Sequence, residues 1–207
     1  MVTFSGDVSV RLPEFDDPPV DPVELLDVWL AAAVVRGVRE PYAMVLATAD
    51  AAGIPSSRVV SLKAVDAGGL VFTTHEASRK GADLAARPYA SATFYWRETV
   101  QQVQVSGPVR RMTRAQSDVL FAERPPAARA TTAASHQSQP LASEPALRER
   151  AARLLAAGAP IARPDGWAGF RLEPDGIEFW QGSDDRLHRR LRYARAGGDW
   201  TWCRLQP

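Results

Sequence analysis

Two hydroxyl groups and two cations are concentrated between positions 73 and 80. Thr73 and Thr74 end a predicted strand, and Ser78 is a predicted N-cap that precedes Arg79 and Lys80 in a first helical turn. Unpaired N–H groups make a helix N-terminus attractive to anions, whereas basic residues there oppose the helix dipole. The combination predicts a phosphate-binding site, and a solvated basic turn is the alternative.

Lysine is rare in this chain, and its two lysines fall close together. The 25 basic residues comprise 23 arginines and only Lys63 and Lys80. Arg58 lies five positions before Lys63 in another predicted strand, so their side chains point to opposite faces unless a bulge intervenes. A strand with charged ends, in a chain biased toward arginine, is the alternative to a functional role.

A third cluster of potential cations lies near the end of the chain. Arg186, His188 and Arg190 lie at positions i, i+2 and i+4, so on a strand all three side chains would face the same way. Such a face expects an anionic or electron-rich partner, and a solvated strand face is the alternative. Weaker signals come from Gln101-Gln102 and Gln137-Ser138, because amide side chains can hydrogen-bond a heterocycle edge, and ordinary surface residues are the alternative.

Composition excludes several classes of function. Because 25 basic residues balance 24 acidic ones at a net charge of +1, nucleic-acid binding by bulk charge is not expected. The single Cys203 and the spacing of three histidines leave no cysteine-based zinc site and no metalloprotease motif, so no metal is expected. No apolar run reaches the length of a membrane span, and the acidic start is not a secretory signal. We therefore expect a cytoplasmic protein without membrane contact.

Periodicity and turn residues divide the chain into an extended N-terminal arm, residues 1–21, and a single domain, residues 22–207. Asp21 and Pro22 begin a predicted helix that Gly37 ends. Further helices are predicted from Ser78 to about Arg87, from Thr113 to about Glu123 and over Glu144–Ala157, with short helix and loop over 127–142. The predicted strands are Tyr42–Thr48, Ser57–Val65, Leu70–Thr74, Tyr89–Trp96, Val100–Arg110, Trp167–Glu173, Gly176–Gln181, Leu187–Ala194 and Trp200–Leu205.

Strands joined by tight turns, with helices inserted between them, indicate an α+β fold built on an antiparallel, Greek-key-like β-barrel with peripheral helices. Alternating βαβ units are absent from this pattern, and the sequence holds neither a G-x-G-x-x-G motif nor a P-loop. A Rossmann domain is therefore not expected.

Taken together, these segments resemble the pyridoxamine 5′-phosphate oxidase family of flavoproteins, from about Pro18 to Pro207. The resemblance is most specific in Ile177-Glu178-Phe179-Trp180-Gln181-Gly182 followed by Arg186-Leu187-His188, with Ser78-Arg79-Lys80 and the Arg58…Lys63 segment upstream. It implies a split β-barrel that binds FMN at a homodimer interface. It also implies that a small substrate passes a hydride to flavin N5 and that O2 then reoxidises the flavin.

The resemblance also implies residue roles. Arg58, Val59, Val60, Ser61 and Lys63 would line the flavin; Thr73 and Thr74 would hold the ribityl-phosphate region, Arg79 and Lys80 the phosphate, and Gln102 the ring. Gln137, Ser138, Trp180 and Arg190 would complete the cofactor site, several of them from the partner chain. Arg186 and His188 match catalytic positions, and the implied substrate-binding residues are Lys63, Arg124, Arg186 and His188.

Two positions separate this chain from the vitamin oxidases of the family. These enzymes hold the substrate phosphate with Lys, Tyr, Arg and Ser, where this chain has Lys63, Leu120, Arg124 and Ala128. Losing two charge-assisted hydrogen bonds costs about 3–6 kcal/mol. Other segments look more like the flavin oxidase of phenazine biosynthesis, among them Pro13-Glu14-Phe15, Gly37-Val38-Arg39-Glu40-Pro41, Tyr95-Trp96-Arg97-Glu98 and the ending Arg204-Leu205-Gln206-Pro207.

Three hypotheses therefore stand. The first is an FMN-dependent oxidase of reduced phenazine carboxylates, flat aromatic substrates that suit Leu120 and Ala128. The second is a pyridoxamine or pyridoxine 5′-phosphate oxidase, which the retained Lys63 favours. The third is a non-enzymatic flavin-binding protein, which would need neither Arg186 nor His188.

Overall fold

The computed structural model describes residues 5–207. A single 3₁₀ turn, Pro13–Phe15, precedes helix α1, Pro22–Val35. The other helices are α2 (Arg79–Ala86), α3 (Arg114–Ala122), α4 (Pro126–Ala134) and α5 (Glu144–Ala156). The strands are β1 (Ala43–Ala49), β2 (Pro55–Ser61), β3 (Ala64–Asp66), β4 (Gly69–His75), β5 (Tyr89–Trp96), β6 (Gln101–Arg111), β7 (Trp167–Leu172), β8 (Gly176–Gln181), β9 (Arg189–Ala196) and β10 (Asp199–Arg204).

All strand pairs are antiparallel, in the order β10-β9-β8-β6-β5-β1-β2, with β3, β4 and β7 branching from this path. The long strand β6 pairs with β8 through Ser106 and with β7 from Val109 onward. Gly107 lies at this fork, where a Cβ would come within 1.9 Å of the Glu173 carbonyl oxygen. Only glycine permits that approach, and the sheet curls there into a split barrel. The expected α+β split-barrel fold is confirmed.

The strand predicted over Ser57–Val65 is in fact two strands, β2 and β3. Between them, the Leu62 N–H donates to Tyr42 O at 2.8 Å and the Lys63 N–H donates to Val71 O at 2.8 Å. The chain therefore leaves its partner β1 and joins β4 within two residues. The continuous strand was a wrong prediction because hydrophobic alternation does not reveal a change of pairing partner.

An aromatic cluster joins α1 to the barrel. The Trp29 ring lies 5.0 Å from the Phe179 ring in an edge-to-face arrangement and 6.3 Å from the Trp96 ring. The Trp29 indole N–H donates to the Glu14 carboxylate, and all three aromatic residues are at most 2% exposed. Large buried aromatic side chains dominate core energetics, so this cluster anchors the helix.

The described part of the N-terminal arm packs against the domain. Val10, Leu12 and Phe15 belong to the same hydrophobic core as the barrel strands. Gln181 Nε2 donates to Val10 O at 2.7 Å, and Asp16 forms an ion pair with Arg189 at 2.8 Å. Residues 1–4 of the predicted arm lie outside the described residues, and its division from the domain at residue 22 stays a prediction.

Within residues 5–207, no helix combines the length and the apolar character needed to cross a bilayer.

Candidate functional site

One cavity of about 670 Å³ brings together most of the residues singled out in the sequence. Its volume lies in the range of small-molecule and cofactor sites. The lining includes Arg58, Val59, Val60, Ser61, Lys63, Thr73, Thr74, Arg79, Lys80, Arg124, Gln137 and Ser138, together with Ser56, Ser57, Pro125 and Ala128. Five cations and no carboxylate are among these described lining residues.

The break between β2 and β3 brings Arg58 and Lys63 to the same cavity. Their odd separation would have placed them on opposite faces of one continuous strand. Because the chain changes partner at Leu62, which is itself buried, both side chains line the cavity. The sequence left this point open, and the tertiary structure decided it.

Lys80 is a buried cation whose described hydrogen-bond partners are neutral hydroxyl groups. It is 7% exposed, and its Nζ donates to Thr74 Oγ1 at 3.0 Å and to Ser78 Oγ at 3.3 Å. Burial, and secondarily the nearby Arg58 charge, lowers the pKa of Lys80. In the described part of the chain Lys80 forms no ion pair. A buried ammonium of this kind favours an anionic ligand, because charged groups in protein interiors need a counter-charge.

The N-terminus of α2 and the loop after α4 meet beside Lys80. Ser78 caps α2 by accepting a hydrogen bond from the Gly81 N–H at 3.3 Å. Thr74 Oγ1 donates to Gln137 Oε1 at 3.3 Å, and the Arg79 N–H donates to Ser138 Oγ at 3.4 Å. Gln137 and Ser138, which were weak signals in the sequence, therefore lie at the predicted phosphate site of residues 73–80.

Sequence analysis missed Asp83, a 4% exposed carboxylate behind Arg58. Its Oδ2 accepts hydrogen bonds from Thr48 Oγ1 at 2.6 Å and Ser56 Oγ at 2.9 Å, and lies 3.9 Å from Arg58 Nη2. Burial alone would raise the pKa of Asp83, but these hydrogen bonds and nearby arginines outweigh it and the pKa is lowered. A carboxylate on the buried face of α2, three residues after Lys80, was the available signal.

Arg124 follows the C-cap of α3, and its guanidinium carbon lies 5.1 Å from the Trp167 ring centre. Burial lowers the pKa of Arg124. Ala128 lines the cavity beside it, whereas Leu120 lies against β7, where a Cβ on Gly169 would come within 2.6 Å of the leucine Cδ1. The two positions that lack the vitamin-oxidase donors therefore present only alkyl groups.

Gln102, Trp180 and Arg190 form a second group outside this cavity lining. They are register partners on β6, β8 and β9, so they make one row across one face of the sheet. Arg190 Nε donates to Glu178 Oε1 at 2.7 Å. These half-buried side chains form one patch on this face of the sheet.

Arg186 and His188 do not share a strand face with Arg190, so this prediction was wrong. Strand β9 begins only at Arg189, and residues 182–188 form a turn in which the Arg186 N–H donates to Ser183 O at 3.1 Å. Arg186 has a left-handed φ of 68°, and the His188 ring lies 4.9 Å from the Trp180 ring. The Asp185 carboxylate accepts from the Leu187 N–H at 2.9 Å, and such local bonds compete with strand pairing.

Two family models match consecutive parts of the chain. The model described as pyridoxamine 5′-phosphate oxidase matches residues 30–158, and the one described as the pyridoxine 5′-phosphate oxidase C-terminal dimerisation region matches residues 167–207.

Similar proteins include enzymes of two kinds. A dihydrophenazinedicarboxylate synthase of Burkholderia lata is 48% identical over 205 residues, 99% of this chain and 97% of that protein. A pyridoxine/pyridoxamine 5′-phosphate oxidase of Salinispora arenicola is 49% identical over 185 residues, 87% of this chain and 84% of that protein. The crystal structure of PhzG from Burkholderia lata 383 in complex with tetrahydrophenazine-1-carboxylic acid matches with a TM-score of 0.95 at 48% identity, covering 98% of this chain and 100% of that chain.

Proposed function

The chain belongs to the pyridoxamine 5′-phosphate oxidase family of oxidoreductases, and on that basis we propose that it is an FMN-dependent oxidase of reduced phenazine carboxylates. The observation that carries the proposal is the near full-length similarity to an enzyme whose structure holds a tetrahydrophenazine carboxylic acid. Percentage identity is nearly equal for the two kinds of relative, 48% for the synthase and 49% for the vitamin oxidase, and the longer match, 99% against 87% of this chain, favours the synthase.

The cavity suits the phosphate of FMN. None of the described contacts of the buried Lys80 is with a negative charge, and a phosphate dianion would supply one. Thr74 and Arg79 line the same cavity and would also contact the phosphate. Arg58 lies close enough to influence the pKa of Lys80, so it belongs to the same cationic cluster. Val59, Val60 and Ser61 would then flank the flavin. When bound, FMN supplies the electron-accepting chemistry, taking two electrons from the substrate and passing them to O2.

We further propose a homodimer in which each protomer completes the other's site. The match of residues 167–207 to a dimerisation region supports this arrangement. Gln102, Trp180 and Arg190 would face the partner's cavity from their common sheet face. The turn that carries Arg186 and His188 adjoins this row through Trp180, so it would approach the substrate there.

The chain's own residues would bind and orient the substrate. Arg186, His188, Arg124 and Lys63 provide donors for a carboxylate, and an arginine fork can bind a carboxylate through two parallel hydrogen bonds. Ala128 lines the cavity with an alkyl group that suits a flat aromatic ring system, and neither Ala128 nor Leu120 offers a hydrogen bond to a phosphate. The proposed reaction requires no protein nucleophile.

Oxidation of a vitamin 5′-phosphate is the second candidate. Lys63 and Arg124, which match two of the four phosphate donors in vitamin oxidases, both line the cavity. The similarity to the Salinispora arenicola oxidase also favours it.

A direct comparison of substrates tests the proposal. The FMN-loaded protein is given a dihydrophenazine carboxylate or pyridoxine 5′-phosphate in air, and initial rates are corrected for oxidation without enzyme. Because two charge-assisted donors are missing, we expect kcat/KM for pyridoxine 5′-phosphate to be at least about 100-fold lower than kcat/KM for the dihydrophenazine carboxylate. Comparable efficiency on both substrates would overturn the assignment.

A double variant, Leu120→Tyr with Ala128→Ser, provides the matched test of the cause. Restoring the two hydroxyl donors should raise kcat/KM for pyridoxine 5′-phosphate while FMN affinity stays unchanged. If vitamin turnover does not rise, these two positions do not determine the choice of substrate.

A further inference from the structure

The turn that carries Arg186 and His188 is held by its own hydrogen bonds. The Ser183 N–H donates to His188 Nδ1 at 3.1 Å, and the Arg186 N–H donates to Ser183 O at 3.1 Å. Asp185 Oδ1 accepts from the Leu187 N–H at 2.9 Å and from the Ser183 hydroxyl. Three backbone N–H groups of this turn, those of Ser183, Arg186 and Leu187, therefore donate to acceptors within the turn itself.

The bond to Nδ1 has a chemical consequence for His188. A ring nitrogen that accepts a hydrogen bond carries no proton, so a neutral imidazole must carry its proton on Nε2. An imidazolium cannot accept such a bond. The Ser183 amide therefore selects the neutral tautomer with Nε2–H, and the 4.9 Å packing against the Trp180 ring orients the plane of the imidazole.

Asp185 supplies the second constraint. Arg186 has a φ of 68°, a left-handed conformation that costs energy for a residue with a side chain and persists only when the surroundings impose it. The Asp185 carboxylate bridges the residues before and after Arg186 by its bonds to Ser183 and Leu187. These two bonds, in that order of size, lower the pKa of Asp185, which keeps the carboxylate ionised.

We propose that Asp185 is a positioning residue and that His188 serves the substrate site as a neutral hydrogen-bond donor through Nε2–H. The proposal rests on the proposed function for the statement that this turn meets the substrate. A donor of this kind suits an acceptor atom on the substrate, a carboxylate oxygen or a ring nitrogen. His188 would then orient the substrate and would not remove a proton from it.

The tautomer can be observed without any turnover. Long-range 1H–15N correlation spectra of 15N-labelled, FMN-loaded protein at mildly alkaline pH distinguish the two tautomers. The chain has three histidines, and loss of one set of signals in His188→Gln assigns His188. We expect a single Nε2–H tautomer; an Nδ1–H tautomer or averaged signals would overturn the proposal.

Variants of Asp185 test the positioning role. Asp185→Ala should let the His188 signals average and should lower kcat/KM by about five- to tenfold, the effect of about one hydrogen bond. Asp185→Asn should retain the single set of His188 signals and most of kcat/KM, because its amide oxygen accepts the same two hydrogen bonds. FMN affinity and thermal stability should stay unchanged in both variants.

Asp184→Ala is the matched control, because Asp184 is an exposed neighbour in the same turn. It should leave the His188 signals and kcat/KM unchanged. If Asp185→Ala behaves like this control, or if Asp185→Asn behaves like Asp185→Ala, Asp185 does not position the turn. If neither substrate is turned over, the proposed function fails. The His188 spectra of these variants still show which tautomer is present and whether Asp185 holds the turn in place.

Discussion

At the scale of the residue, Lys80 shows how burial turns a common side chain into a specific one. Its ammonium has only hydroxyl partners among the described residues, so burial and the neighbouring Arg58 lower its pKa. An ammonium is a compact charge with three donors, whereas guanidinium is planar and wide, so arginine does not replace it in a tight site. This explains why a chain so rich in arginine has lysine here.

Removal of this charge should weaken FMN binding through the phosphate. Lys80→Met keeps the length of the side chain and removes the ammonium. We expect the Kd for FMN to rise about 10- to 100-fold, the value of one charge-assisted hydrogen bond. Riboflavin, which has no phosphate, is the control ligand, and its Kd should change little. Equal changes for both ligands in a fluorescence titration would remove Lys80 from the phosphate site.

The same lowered pKa gives the pH dependence of this prediction a definite sign. As the pH rises through the lowered pKa of Lys80, the ammonium loses its proton and the affinity for FMN should fall. In Lys80→Met this step should disappear. The stability of the apoprotein should change in the opposite sense. Between the lowered pKa of Lys80 and the ordinary lysine pKa, the unfolded form binds more protons than the folded form, so the free energy of unfolding should rise with pH.

At the scale of the element, helix α2 links the cavity to the sheet. Lys80 and Arg79, near the helix N-terminus, line the cavity, while Asp83, one turn later, is bonded to Thr48 on β1 and Ser56 on β2. Arg58 Nη1 donates to Thr48 Oγ1 at 2.7 Å, so the cation and the carboxylate share a partner. The helix therefore places the cations and also fixes the strand beneath them.

Loss of Asp83 should destabilise the fold. Asp83→Ala leaves Arg58 without its counter-charge and two hydroxyls without their acceptor, so the free energy of unfolding should fall by about 3 kcal/mol. Asp83→Asn keeps an acceptor for the hydroxyls and should cost less. Denaturant titrations measure both, and equal stability of Asp83→Ala and the unsubstituted protein would contradict this role.

The pKa of Asp83 also predicts how this contribution varies with pH. Because its folded pKa is lowered, the contribution is present above the ordinary aspartate pKa and is lost as the pH falls through the lowered one. The difference in stability between the unsubstituted protein and Asp83→Ala should therefore shrink under acid conditions.

At the scale of the whole molecule, the described part of the N-terminal arm, residues 5–21, contributes to the core. Phe15 is 1% exposed, lies 6.1 Å from the Trp29 ring, and has the guanidinium carbons of Arg189 and Arg204 at 4.6 and 5.9 Å. Tyr193 donates from its hydroxyl to Pro19 O at 2.9 Å. The described part of the arm therefore packs against β9 and β10.

Truncation of this aromatic anchor should be costly. Phe15→Ala removes a fully buried ring, so the free energy of unfolding should fall by about 3–5 kcal/mol. Val20→Ala, at a position 85% exposed in the same segment, is the control and should change it by less than about 0.5 kcal/mol. Similar unfolding curves for the two variants would mean that the segment does not contribute to the core.

Local signals in the sequence were sufficient for most of the elements. Asp21 caps α1, Ser78 caps α2 and Thr113 caps α3 as their types indicate, because capping depends on residues within one turn. The anion site was readable for the same reason, since Thr74, Ser78 and Lys80 lie within seven positions. The antiparallel barrel followed from short strands joined by tight turns.

Long-range pairing decided the rest. The change of partner at Leu62 brought Arg58 and Lys63 to one cavity, and Asp83 was joined to Thr48 and Ser56 across 35 and 27 positions. The hydrogen bonds of the Asp185 carboxylate hold Arg186 and His188 in a turn, outside the strand that their spacing predicted. Sequence by itself determined which groups could bind an anion, because that depends on residue type and local capping. Only the tertiary structure decided which of them meet, because strand pairing joins residues whose separation along the chain carries no local signal.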